Sequence, residues 1–172
     1  MKKLLIISLL IISIVTAYSQ ETEKKSKKEL KAEKNAKQIE ETKALVESKT
    51  FVFDARNVNP MNGNSMFLTS EYDVNITSDS IFSYLPYYGV AYSASYGGTD
   101  SPMIFNKPFE TFNIEKIKKG YLVKVTVKNG SDRLVFSFFI SETGSTTLSL
   151  SSTNRQSITY YGDIVKTEEK NK

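Results

Sequence analysis

No cysteine and no histidine occur anywhere in the 172 residues. The first absence removes disulfides, thiol nucleophiles and thiolate metal sites. The second removes His-based triads, an imidazole general base and imidazole metal ligation. A nucleophile would have to be Ser, Thr, Lys or a carboxylate. No Gly-x-Ser-x-Gly elbow, Ser-x-x-Lys pair or Gly-rich phosphate loop supplies one. The chain therefore reads as a non-enzyme that needs no metal and no cofactor. A carboxylate pair is the remaining catalytic option. Glu71 and Asp73, two apart on one strand face, are a solvated pair beside a turn, and Asp100 is a loop acid.

A strong charge of one sign is also missing from most of the chain. The formal net charge is +4. Residues 50–165 hold 9 basic and 10 acidic side chains, a net of −1. A near-neutral domain lacks the basic face that nucleic acid requires, so nucleic acid is excluded as a partner.

What is present falls into four segments. Met1 to Ser19 reads as a signal peptide: Lys2 and Lys3, an apolar run from Leu4 to Val15, then Ala17 and Ser19 at the two small-residue positions before a cleavage point preceding Gln20. The run is shorter than the about 20 residues a spanning helix needs, so no membrane span is expected after cleavage. An uncleaved anchor is the alternative. Residues 20–49 form a charged arm without Gly or Pro beyond Glu21, rich in Lys, Glu and Ala, which favours a solvated helix. Only its last turns, with Ile39, Leu45 and Val46, are expected to dock. Residues 166–172 are a charged tail.

From Thr50 the apolar period becomes two, the strand signature. Phe51, Phe53 and Ala55 share a face, as do Tyr72, Val74 and Ile76, and Tyr121, Val123, Val125 and Val127. Asn129-Gly130 marks a hairpin, because both residues tolerate positive φ. Leu134 to Ile140 is apolar on both faces and reads as a central strand. The predicted fold of residues 50–165 is mainly β: an antiparallel meander of eight or nine strands, closing as a β-sandwich or an open barrel, preceded by the charged helix.

Two stretches stand out. Tyr84 to Gly98 is uncharged and carries five of the nine tyrosines beyond the signal. Tyrosine offers a broad apolar face plus a hydroxyl at low entropic cost, which suits sugars, peptides or protein surfaces. The rings either form such a surface or cover one mouth of the barrel. Ser152 to Ser157 holds Asn154 and Arg155 in a turn, where they either brace the loop or offer a fork to a ligand carboxylate. Arg56 poses the same choice. The candidate binding residues are Tyr87, Tyr88, Tyr92, Tyr96, Asn154 and Arg155.

Asn59-Pro60-Met61, Tyr84-Leu85-Pro86-Tyr87-Tyr88-Gly89, Ala91-Tyr92-Ser93-Ala94, Tyr96-Gly97-Gly98, Asn154-Arg155-Gln156-Ser157-Ile158 and Tyr160-Tyr161-Gly162 also occur in a set order and spacing. In these blocks residues 50–164 resemble domain of unknown function 4251, an uncharacterised family of exported proteins found mainly in Bacteroidota. The resemblance implies an envelope location and a shared fold, and it carries over no functional residues. The sequence thus leads to an exported binding or interaction module, in the periplasm or on the outer surface. Its partner would be an envelope protein, a glycan or a small ligand. A carrier of a small apolar molecule and a carboxylate-dependent hydrolase are the alternatives.

Overall fold

The computed structural model describes residues 27–92 and 103–167. The signal segment, Tyr96 and Asp100 lie outside them. The chain divides into two units. Residues 27–34, the opening turns of helix α1 (Lys27–Ser48), belong to the first. The second begins at Asn35 and holds the rest of α1 and the whole sheet.

Within that second unit α1 is solvated along most of its surface, with Lys37–Glu41 and Lys43–Glu47 pairs one turn apart. Thr42 and Val46 are its buried residues, and Leu45 packs beside them on the core. The last turns dock, as expected, through Thr42, Leu45 and Val46, while Ile39 is exposed. No described helix is long and apolar enough to cross a membrane.

Nine antiparallel strands follow: β1 (Phe51–Pro60), β2 (Met66–Ile76), β3 (Ser80–Tyr84), β4 (Ile104–Pro108), β5 (Thr111–Ile117), β6 (Gly120–Asn129), β7 (Asp132–Ser141), β8 (Ser145–Ser152) and β9 (Ile158–Val165). They make one sheet in the order β4-β3-β2-β1-β9-β8-β7-β6-β5, curled as a half-barrel. The open-barrel alternative is therefore the one adopted. β7 is paired on both sides, as its apolar run implies.

The curl has a covalent cause. β4 and β5 are the two opposite edges of the sheet, yet only Phe109 and Glu110 separate them in sequence. Three Cα steps span at most about 11 Å, so a flat nine-stranded sheet could not be connected this way. The crossing is fastened on both sides: Phe109 N–H donates to the Asp79 carbonyl at 3.3 Å and Glu110 N–H to the Thr126 carbonyl at 2.7 Å.

Alternation fills the inside of the curl. Phe51, Phe53, Phe136, Phe138 and Tyr160 are fully buried there, with Val74, Ile76, Ile81, Val123, Val125, Leu148 and Leu150 around them. The rings meet edge to face, Phe51–Phe138 at 5.7 Å and Phe53–Phe138 at 5.9 Å between centroids. Each such ring contributes about 2–3 kcal/mol by leaving water. At the Asn129-Gly130 hairpin only Gly130 takes positive φ, 65°, because Gly130 and Ser131 are the central pair between the registered Asn129 and Asp132.

One irregularity shapes the β1 side. The β1–β2 register passes from Ala55↔Tyr72 to Asn57↔Phe67, so four residues of β2 stand opposite Arg56 alone. The β1–β9 register shifts at the same place. The bulge turns Arg56 towards Asp163, 2.9 Å away, with Asp54 at 3.9 Å.

Candidate binding site

The uncharged stretch after β3 does not wander off the sheet. Leu85 is buried, and the carbonyl of Pro86 accepts a hydrogen bond from the Tyr160 hydroxyl at 2.6 Å. From there the chain runs beside the turn between β8 and β9. Ala91 and Arg155 form an isolated antiparallel bridge. Around it Gln156 N–H donates to the Val90 carbonyl at 3.0 Å and Tyr92 N–H to the Asn154 carbonyl at 2.7 Å. The Gln156 side chain joins in, its Oε1 accepting from Val90 N–H at 3.2 Å. Two loops over sixty residues apart thus behave as one short ribbon.

The tyrosines divide between structure and surface. Tyr87 is half-buried against the core, and its hydroxyl reaches the carbonyls of Gln156 at 3.0 Å and Val90 at 3.2 Å. Burial pushes its phenol pKa up, against the pull of Arg155. Glycine at 89 follows from this fold-back, since a Cβ there would lie 2.6 Å from the Tyr87 hydroxyl oxygen. Tyr160 is fully buried, and burial first, then Tyr87 and Tyr88, hold its phenol far above the ordinary range. Tyr88 and Tyr92 point the other way, 42% and 68% exposed. Tyr96 lies outside the described residues.

The Asn154-Arg155 turn is braced from below by Asp132, a buried carboxylate at the start of β7. Asp132 accepts hydrogen bonds from Ser152 Oγ at 2.8 Å, Thr153 Oγ1 at 2.9 Å, Thr153 N–H at 3.1 Å and Asn154 N–H at 3.3 Å. The Arg155 guanidinium pairs with its second oxygen. Burial alone would raise the Asp132 pKa, but the bonds from Ser152, Thr153 and Asn154, with Arg155, outweigh it and hold the carboxyl below its usual range. The guanidinium fork of Arg155 is directed at Asp132, so its role in these contacts is to hold the loop. Asn154 does the same through its backbone and through Nδ2, 3.5 Å from Ser131 Oγ.

Asp132 is the organising side chain that reading the sequence does not single out, while Gln156 stands within the Ser152–Ser157 stretch but is not among the candidate residues. Asp132 follows a hairpin turn, where an acid is unremarkable, and its partners lie twenty or more residues on.

Between this ribbon and the β1–β2 loop lies a groove of about 570 Å³. Its lining includes Pro60, Met66, Tyr88 and Val90 together with Asn62, Asn64 and Gln156. Among the described residues no charged side chain lines it. Phe67, 84% exposed, stands on the neighbouring strand beside Met66.

The acids form no comparable site. Asp73, Asp54 and Asp163 sit opposite one another on β2, β1 and β9, with Arg56 against the last two. Among the described residues no group of three acidic side chains is arranged to hold a metal ion.

Comparison with known proteins places this fold. The family model described as "Domain of unknown function (DUF4251)" matches residues 33–164, which takes in the docked part of α1 as well as the sheet. The crystal structure of a DUF4251 family protein from Bacteroides eggerthii is similar, with a TM-score of 0.58 at 17% identity. The similarity covers 79% of this chain and 92% of that one. At that identity the likeness is one of fold. No curated protein matches the chain.

Proposed function

We propose for this chain, which belongs to the DUF4251 family, the role of a non-enzymatic binding module of the bacterial cell envelope. It is exported by its N-terminal apolar segment and recognises its partner with the Tyr88–Tyr92 ribbon and the groove beside it. One observation carries the reading. Two exposed tyrosines and an exposed Val90 stand on a loop whose backbone is fastened at both ends, beside a concave uncharged surface. A loop that only covered the core would turn its rings inward, as Tyr87 and Tyr160 do. Rigid aromatic side chains with little entropy left to lose are what recognition surfaces favour.

The test replaces Tyr88 and Tyr92 by Ser together. Thermal stability is measured beside capture of partners from a bacterial envelope extract. Capture is expected to be lost while the melting temperature moves by no more than about 4 °C, the shift of a change under 1 kcal/mol. Lost stability with unchanged capture would assign the rings to the core and end the proposal.

A further inference from the structure

We infer that the groove between the β1–β2 loop and the Tyr88–Gln156 ribbon takes a neutral oligosaccharide. The assignment rests on the binding-module reading above and names its ligand class.

The first argument is charge. From Asn57 to Ser70 and from Ser80 to Thr99 the sequence contains no Asp, Glu, Lys or Arg, and these two stretches supply nearly all of the groove. A phosphate, a carboxylate or an ammonium group would enter without a counter-charge, which costs more than its contacts return. The ligand that fits is uncharged.

The second argument is the kind of polar group on offer. Among the described residues the Asn62 and Asn64 side chains have no hydrogen-bond partner, and Gln156 commits only its Oε1, to Val90 N–H, leaving its NH2 group. A side-chain amide has donors and acceptors a few ångströms apart. Adjacent hydroxyls of a sugar ring are also both donors and acceptors, so one amide satisfies two of them. An aliphatic ligand would instead strip three amides of water and leave them unpaired.

The third argument concerns the apolar part. The C–H face of a pyranose ring needs a flat partner, and Tyr88 provides an exposed ring in the groove's lining, which also includes Met66 and Val90. A volume of about 570 Å³ admits more than one sugar ring. A peptide is the competing ligand. It would bind chiefly through its backbone, and the strand-like groups here, at Val90, Tyr92, Asn154 and Gln156, are already paired with each other.

The experiment uses an array of neutral glucan, mannan, galactan and N-acetylglucosamine oligomers, with uronate oligomers and unmodified decapeptides as comparison, probed with the full chain. The best oligomer is then titrated against three proteins: wild type, Asn62→Ala/Asn64→Ala, and Tyr88→Ala. Retention of a neutral oligomer and not of uronates is expected. Affinity should fall about tenfold or more in each variant, the loss expected for two amide bonds or one stacking ring, with unchanged melting temperature. Retention of peptides and not of sugars, lost in Tyr88→Ala, overturns the glycan assignment and leaves the binding-module reading intact. Retention of no neutral oligomer, or binding indifferent to both variants, overturns the assignment as well. The Tyr88/Tyr92 capture experiment then judges the wider reading separately.

Discussion

The hydroxyl of Tyr160 donates to the carbonyl oxygen of Pro86 at 2.6 Å, across 74 residues of sequence. This bond fixes where the tyrosine stretch leaves the core, because it joins the middle of β9 to the residue just before Tyr87. Replacing Tyr160 by Phe keeps the ring but leaves a carbonyl unpaired in an apolar setting. A loss of about 1–3 kcal/mol is expected in urea unfolding.

The same phenol makes stability fall in alkali. Its folded pKa is raised by burial, while in the unfolded chain it ionises near pH 10. Above about pH 10 the unfolded state has lost a proton that the folded state keeps, so unfolding is favoured as pH rises. Below that pH the contribution is fully present. Unfolding free energies measured from pH 8 to 11 should show this decline, and Tyr160→Phe should flatten it.

Asp132 gives the opposite limb. Its folded pKa is depressed, so its contribution is complete above about pH 4 and is lost as the carboxyl takes up a proton at lower pH. Asp132→Asn should cost about 3 kcal/mol at pH 7, since it leaves the Arg155 guanidinium unpaired and mostly buried. The acid-side slope should shrink with it. Hydrogen exchange at the Tyr92 and Gln156 amides should quicken, because the turn they bond to loses its brace.

Gly162 faces the backbone of β1 beside the Arg56 bulge. A Cβ at this position would lie 1.8 Å from the Asp54 carbonyl oxygen and 3.2 Å from the Ala55 Cα. Neither is the end of a flexible side chain, so Gly162→Ala must push two central strands apart. A loss of about 3 kcal/mol is expected, read from the denaturant midpoint.

The rim tyrosines should separate by role. Tyr88→Ala and Tyr92→Ala are expected to change stability by less than about 0.5 kcal/mol, as surface substitutions do. Tyr87→Phe, which forfeits the bonds to the Val90 and Gln156 carbonyls, should cost about 1 kcal/mol. Thermal melts of the three variants decide this.

Much of the sheet is legible in the sequence because a half-buried strand writes its two faces in alternate residues. Phe51, Phe53 and Ala55, and Val123, Val125 and Val127, are buried as that rule expects, though Val52 and Thr126 between them are buried as well. β4 is not legible: Ile104–Pro108 buries only Phe105 and ends in a proline, so the alternation has nothing to repeat. Nor is the pairing of β9 with β1, which is encoded by no turn between them. At the site, the aromatic stretch announces itself by composition. Which rings turn inward depends on Pro86, Val90 and Gln156 carbonyls, and backbone groups leave no mark in a sequence. Arg155 invites a ligand on paper, while its partner Asp132 lies 23 residues away.

The first and last strands meet in the middle of the sheet, paired from Val52↔Val165 to Pro60↔Ile158 across the bulge at Arg56. Until Ile158–Val165 has emerged, the earlier strands form two separate ribbons, β1 to β4 and β5 to β8, each with a bare hydrogen-bonding edge at β1 or β8. Completing the sheet therefore requires β9, through pairings distant in sequence, which slow folding. For the export proposed above, that delay is useful, because the strands before β9 lack the partner that closes the sheet.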